Sequence, residues 1–365
     1  MKTCISFDPQ DTGLPLYQYR PTSPLLCTWL KDAENDWLSL IYDTKLPLLQ
    51  TGREIFTNLY NLSSTACSPG AANHVDIVPA RAFGTVLPSL NLLLVDLLHD
   101  EDFQATDFIS GEPVADMQVM DFMANMYRPL FKDDRPDACQ LYGALNIPVS
   151  DNGLGLCSFD ATPYSHDAAS IVDDSAWLTV WTSPGAISQP HMDHYGATQY
   201  FVHLFGQKLW LTWPPTPHNL VFLDSLHRQK ADLNRTKICL ENLEKLEFFL
   251  VKEPGRAFVL KPNTIHACMS ISGSCHSAIR VWSLDHWEES CRLMRWGIQW
   301  LTKQFEKDHI ASNVTFDIEK LEDEIEQWKT LERRGPKSDL RLELMLKEVL
   351  SIAGDVIKLK ETIKL

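Results

Sequence analysis

The chain has 365 residues, 44% of them hydrophobic and eleven of them tryptophan, which suits a large buried core and excludes a disordered polymer. A formal charge of −15 excludes a protein built to wrap nucleic acid, because neutralising phosphates needs a basic face, whereas it suits a basic partner. Nine cysteines with no C-x-x-C pair read as reduced thiols rather than a zinc ribbon or a disulfide framework.

Residues 1 to about 25 are Pro-rich and irregular. From Pro24 to about Tyr60 apolar residues recur at helical spacing, with Pro47 dividing the stretch into two elements. Residues 61–73 read as a Ser/Ala/Gly-rich loop. A further helix is predicted over Ala82 to His99, and another over Asp116 to Arg128, where Met117, Met120, Met123 and Met126 with Phe122 form a stripe that packs on the core. Leu141 to Pro148 reads as a strand and Asp151 to Ser175 as a loop framing an entrance. Trp177 to Thr182 is a strand. Thr198 to Phe205 and Lys208 to Trp213 read as the two arms of a hairpin, turned by Gly206-Gln207 and stopped by Pro214-Pro215.

Leu220 to Leu243 reads as a partly helical insertion. Short strands come next at Glu247–Lys252, Ala257–Leu260, His266–Ile271 and His276–Ser283. Helical spacing returns over Glu288–Phe305 and again from Asp317, where Gly335-Pro336 breaks the run and Ser338 can cap the last helix. The last two helices can fold as a hairpin on their own barrel or pair with a second copy as a homodimer. The start lacks the apolar run of a secretory signal. The longest apolar run, Leu90 to Leu98, is too short to span a bilayer, so an intracellular protein of nucleus or cytoplasm is expected, with no membrane partner.

His191-Met192-Asp193 carries the chemistry. On an extended chain His191 and Asp193 share a face. His266 lies 73 residues after Asp193, behind a Pro262-Asn263 turn. Two histidines and one carboxylate are the donor set of the facial triad that holds non-haem Fe(II) and leaves positions open. An H-x-D triplet alone is common by chance; the order of the residues C-terminal to it gives it weight. Lys208 begins the return strand of a hairpin whose other surroundings are apolar. Such a lysine is either a solvated strand end or a pocket cation that pairs with an acid, and the triad just before it favours the pocket. His194 faces away from the triad, His203 is a strand residue, and His276 is placed to support the site.

Ser188-Gln-Pro-His191-Met-Asp193, Gly206-Gln-Lys208 with the lysine fifteen residues past the aspartate, and Pro262-Asn-Thr-Ile-His266 together resemble the jumonji C (JmjC) family of Fe(II)- and 2-oxoglutarate-dependent oxygenases. The resemblance covers about Trp177 to Trp282, the middle third of the chain. It implies an α+β fold: a double-stranded β-helix (jelly-roll, cupin-like) barrel over 141–286, with a mainly helical region at 1–140 packed on it and a C-terminal helical extension at 287–365.

By the same resemblance His191, Asp193 and His266 bind Fe(II), while Lys208 and Ser188 hold the distal carboxylate of 2-oxoglutarate. Thr198 and Tyr200 stand on the strand that often supplies a further cosubstrate contact. The implied activity is hydroxylation of a protein or peptide, with histone lysine demethylation as one form of it. Phe201 stands where the demethylase branch has a tyrosine, and Ser277-Ala-Ile-Arg280-Val-Trp282 replaces an asparagine-containing strand. These two departures motivate the alternative of a weak or inactive scaffold on the same fold. A cupin-like metal enzyme without 2-oxoglutarate is a third reading.

Overall fold

The computed structural model describes residues 24–40, 52–59, 74–78, 90–99, 103–108, 113–126, 141–148, 170–172, 178–193, 197–227, 235–252, 254–308, 312–334 and 339–363. Helices α1 (Pro24–Leu40) and α2 (52–59) flank the Pro47 segment; that segment, the loop at 61–73 and most of 151–175 lie outside the described residues. Next come β1 (Val75–Val78), α3 (Leu90–His99), β2 (Ala105–Asp107), α4 (Val119–Met126), β3 (Tyr142–Pro148), β4 (Ser170–Val172) and β5 (Leu178–Thr182). The central run is β6 (Thr198–Phe205), β7 (Lys208–Trp213), α5 (Pro217–His227), α6 (Arg235–Asn242), β8 (Glu247–Val251), β9 (Ala257–Leu260), β10 (Ile265–Ser270) and β11 (Ser274–Ser283). Three helices close the chain: α7 (Trp287–Asp308), α8 (Ser312–Arg334) and α9 (Leu340–Ile363). Among the described residues no helix is long and apolar enough to cross a membrane.

The strands form two antiparallel sheets. The larger runs β1-β9-β6-β11-β5-β3-β2, with β4 also paired to β11; the smaller runs β10-β7-β8. The segment Gly185–His191 lies antiparallel along β10, through Ser188 N to Cys268 O at 2.8 Å and a mutual exchange between His191 and His266. No strand pairing joins the two sheets among the described residues, so they do not form a closed barrel there. An aromatic wedge holds them together. Phe201 and Phe258 of the larger sheet are stacked at 5.0 Å, and Trp210 and Phe249 of the smaller meet Phe258 edge-on at 4.8 and 4.9 Å.

The expected hairpin is not one. β6 pairs with β9 and β11, whereas β7 pairs with β10 and β8, so Gly206-Gln207 is a corner that carries the chain from one sheet to the other. A corner and a hairpin turn use the same residues, which is why the local pattern could not separate them. Gly206 has φ +83°, and a Cβ there would lie 2.1 Å from the Gly273 carbonyl oxygen. Ser272 Oγ accepts from the Gln207 amide at 2.9 Å and the Ile271 amide donates to Gln207 O at 2.8 Å, which braces the corner against the β10–β11 turn.

Helices cover the outer faces. α1 and α2 pack through Leu30, Trp37 and Phe56 against Leu209, Leu211 and Trp213 of the smaller sheet. The methionine stripe behaves as expected in part: Phe122, Met123 and Met126 of α4 are buried against the larger sheet, with Trp181 and Tyr200, while Met120 is exposed. α7, α8 and α9 share one apolar core that includes Trp282 and Leu284, and the Trp282 indole donates to buried Glu324 of α8 at 2.5 Å. The terminal helices therefore dock on their own chain. Asp339 caps α9, its carboxylate accepting from the Arg341 amide at 2.9 Å; Ser338, the expected cap, lies outside the described residues.

Gly206→Val is expected to cost at least about 1–3 kcal/mol from backbone strain, with the clash added. Urea unfolding checks this; an unchanged midpoint would show that the corner has room.

Candidate metal centre and acid pocket

Between the sheets lies a cavity of about 490 Å³. His191, Asp193 and His266 stand at one part of its wall and Lys208 with His276 at another. The backbone builds the first group. His191 N donates to His266 O at 3.0 Å and His266 N to His191 O at 2.8 Å, a hydrogen-bonded antiparallel pair that sets the two rings side by side, centroids 4.4 Å apart. Thr264 orders the approach to His266 by donating its hydroxyl to Lys261 O at 2.8 Å, across a turn in which Asn263 has φ +58°. Asp193 comes two residues after His191, on the same face.

Protonation of the rings is set by their partners. His191 Nδ1 lies 2.6 Å from Gln189 O and His266 Nδ1 3.2 Å from Thr264 O, so each Nδ1–H donates to a carbonyl and each Nε2 is the nitrogen left for a ligand. Both Nε2 atoms face Asp193, at 3.5 Å from Oδ1 and 3.3 Å from Oδ2. All three donor groups lie within 4.8 Å of one another. Burial pushes His266 down to about 4, although Asp193 acts the other way. Burial also opposes a proton on His191, but Asp193 outweighs it and raises the imidazole. Burial alone would push Asp193 up; His266, His191 and the Gln199 amide together hold its carboxyl well below the usual range. Two ring nitrogens and an ionised carboxylate turned on one another call for a positive charge between them, a proton in the metal-free protein, and the donor set suits a first-row divalent metal in its place.

Lys208 supplies the opposite polarity. It is 1% exposed and lines the cavity. Its Nζ lies 3.0 Å from His276 Nδ1, and no carboxylate partners it among the described residues. Burial lowers its pKa. Across the β7–β10 ladder it faces Ser270, whose hydroxyl meets Thr182 at 2.6 Å and Ser274 at 3.1 Å. An ammonium buried without an acid is costly, and a small carboxylate entering the cavity would relieve that cost. The cavity thus fits both groups that the sequence implies, a divalent metal at the triad and an acid at Lys208.

The remaining expected site residues divide. Ser188 lines the cavity, but its Oγ accepts from the Cys268 amide at 2.8 Å and has the Cys268 carbonyl at 3.4 Å and sulfur at 3.1 Å as local acceptors. Thr198 and Tyr200 are not brought to the cavity. Thr198 Oγ1 lies 3.2 Å from His286 Nδ1, and Tyr200 is buried on the outer face with Met123 and Trp181. The alternate residues Gln199 and Phe201 face inward instead. Phe201 and Trp210 are the aromatic part of the cavity wall, while Leu209, Leu211 and Trp213 belong to the core shared with α1 and α2. Gln199, Cys268 and Arg280 are cavity residues that the sequence did not single out for the site; alternation on β6, β10 and β11 could have found them once one inward residue of each strand was known.

No protein-family model matches the chain, and no curated protein does. Among solved structures it is similar to the X-ray structure of E. coli ycfD, with TM-score 0.35 and 10% identity over 81% of this chain and 67% of that one. It is also similar to a structure of YcfD, a ribosomal oxygenase from Escherichia coli, with TM-score 0.34 and 10% identity over 64% of this chain and 52% of that one. The chain thus spans about half the length of the second structure. A likeness of this degree leaves the assignment to the side chains themselves.

Lys208→Met replaces a buried charge by an apolar chain of similar length, so the ligand-free protein is expected to melt at or above the wild-type temperature. A clear fall would mean that an acidic side chain already partners Lys208. His191→Ala and His266→Ala should each weaken Mn(II) binding by more than about 100-fold, beyond what loss of a supporting hydrogen bond costs; calorimetric titration measures it.

Proposed function

We propose that this chain is an Fe(II)- and 2-oxoglutarate-dependent oxygenase that hydroxylates a protein or peptide. One observation supports this above all: a His/Asp/His donor set and a buried ammonium with no acidic partner among the described residues share one cavity. His191, Asp193 and His266 would hold the metal. Lys208 would take the distal carboxylate of the cosubstrate and so fix which end enters first. Phe201 and Trp210 would keep water from the space between. Bound Fe(II) with 2-oxoglutarate supplies oxygen activation coupled to decarboxylation, so that 2-oxoglutarate, O2 and a substrate C–H give succinate, CO2 and an alcohol.

The cavity favours a neutral target over a methylated lysine. Lys208 and Arg280 both line it, and the one carboxylate among its described lining residues is Asp193, which the metal would occupy. A cationic side chain would find no counter-charge there. A side-chain carbon, giving a stable alcohol, is therefore the preferred site of attack over an N-methyl group, whose hydroxylation would release formaldehyde.

A scaffold of low turnover is the second reading, and Phe201 favours it: a phenyl ring faces the cavity where a tyrosine would offer the cosubstrate a hydroxyl. Anaerobic titration with Fe(II) and 2-oxoglutarate separates the two. The visible metal-to-ligand charge-transfer band should appear, vanish in His191→Ala and weaken in Lys208→Met. Metal binding with no band would retire the oxygenase.

A further inference from the structure

The acid-binding end of the cavity contains a second group besides Lys208. His276 stands on β11, lines the cavity and is 4% exposed. Its ring packs against the Phe201–Trp210 pair, tilted at 5.6 Å from the first and edge-on at 5.2 Å from the second. The contact with Lys208 settles its tautomer. An ammonium can only donate, so His276 Nδ1, 3.0 Å from Nζ, must accept, and in a neutral ring the proton then sits on Nε2. Burial, with the charge of Lys208 added, holds His276 well below the ordinary imidazole value, which keeps the ring neutral. Nε2 makes no hydrogen bond among the described residues, yet it is not among the sealed polar atoms that lack a partner, so its N–H is open to the cavity.

The neighbouring polar groups are already engaged. Thr182, Ser270 and Ser274 bond to one another at 2.6 to 3.1 Å. Ser188 accepts from the Cys268 amide and turns its own hydroxyl to Cys268 O at 3.4 Å. His203, opposite His276 on the ladder, turns its Nε2–H to Gly206 O at 2.9 Å. Two donors are left for an acid at this end, the ammonium and the imidazole N–H.

We propose that His276 Nε2–H, presented by Lys208, is the second donor to the distal carboxylate of 2-oxoglutarate and sets the preference for a dicarboxylate. This rests on the oxygenase reading above. Lys208 would supply the charge and His276 the direction.

The test is calorimetric binding to the full-length Mn(II)-loaded protein of two probes, 2-oxoglutarate and 2-oxopentanoate, which has a methyl group in place of the distal carboxylate. Three variants separate the roles. His276→Phe removes both contacts, His276→Asn keeps an acceptor near Lys208 but loses the reach of Nε2, and His276→Gln keeps a donor near the Nε2 position. His276→Phe and His276→Asn should weaken 2-oxoglutarate binding by about tenfold or more, the scale of a lost hydrogen bond to a charged group, and His276→Gln by much less. Binding of 2-oxopentanoate and of Mn(II) itself should stay within about twofold in all three. Wild-type affinity in His276→Asn would overturn the proposal and leave His276 only to hold Lys208. Equal weakening of both probes would also overturn it, as a disturbance of the whole cavity. A wild-type protein that binds Mn(II) but not 2-oxoglutarate would overturn the oxygenase reading first and this proposal with it.

Discussion

The mutual pair of backbone hydrogen bonds between His191 and His266 is the constraint on which the site depends. It ties a segment that belongs to no long strand to β10, and β10 is itself tied through six register pairs to β7, which carries Lys208. The donor atoms are therefore spaced by a sheet ladder and not by a loop. Ladder spacing varies little, which is what a metal centre needs if its geometry is to be ready before the metal arrives.

Charge is distributed along the cavity on a matching plan. Asp193, accessible at the cavity wall, stays ionised because two imidazoles and an amide face it. Lys208 stays buried beside a ring that can only accept from it. The result is a dipolar space: donor atoms that want a cation on one side, a cation that wants an acid on the other. In a medium of low dielectric, such an arrangement orients an asymmetric ligand by electrostatics alone, before any shape is matched.

How far this could be read from the chain varies by element. The H-x-D triplet and the distal histidine stood out because their chemistry is rare in combination, and Lys208 because a charge in an apolar run demands a reason. The strands β6 and β7 were legible as strands, but not their pairing, since Gly206-Gln207 serves a corner as well as a hairpin. Thr198 and Tyr200 were misplaced for a related cause. β6 is buried on both faces, so its residues do not alternate apolar and polar, and nothing in the sequence says which phase looks inward. Short strands such as β1, β2 and β4 gave no periodic signal of their own. They exist because a partner strand, β9, β3 or β11, offers them an edge.

The corner at Gly206 has a kinetic consequence. Because β6 and β7 leave each other at once for different sheets, neither can be stabilised by its immediate neighbour along the chain. Each waits for partners at the far side of the α5–α6 insertion, β9 and β11 for one, β8 and β10 for the other. Loop closure over such separations must be met before the pairing rewards it, so the two sheets are expected to form late and together. His191 and His266 meet only when that happens. An incompletely folded chain would therefore carry only the His191–Asp193 pair, and the three-ligand centre would be complete only once the sheets have paired.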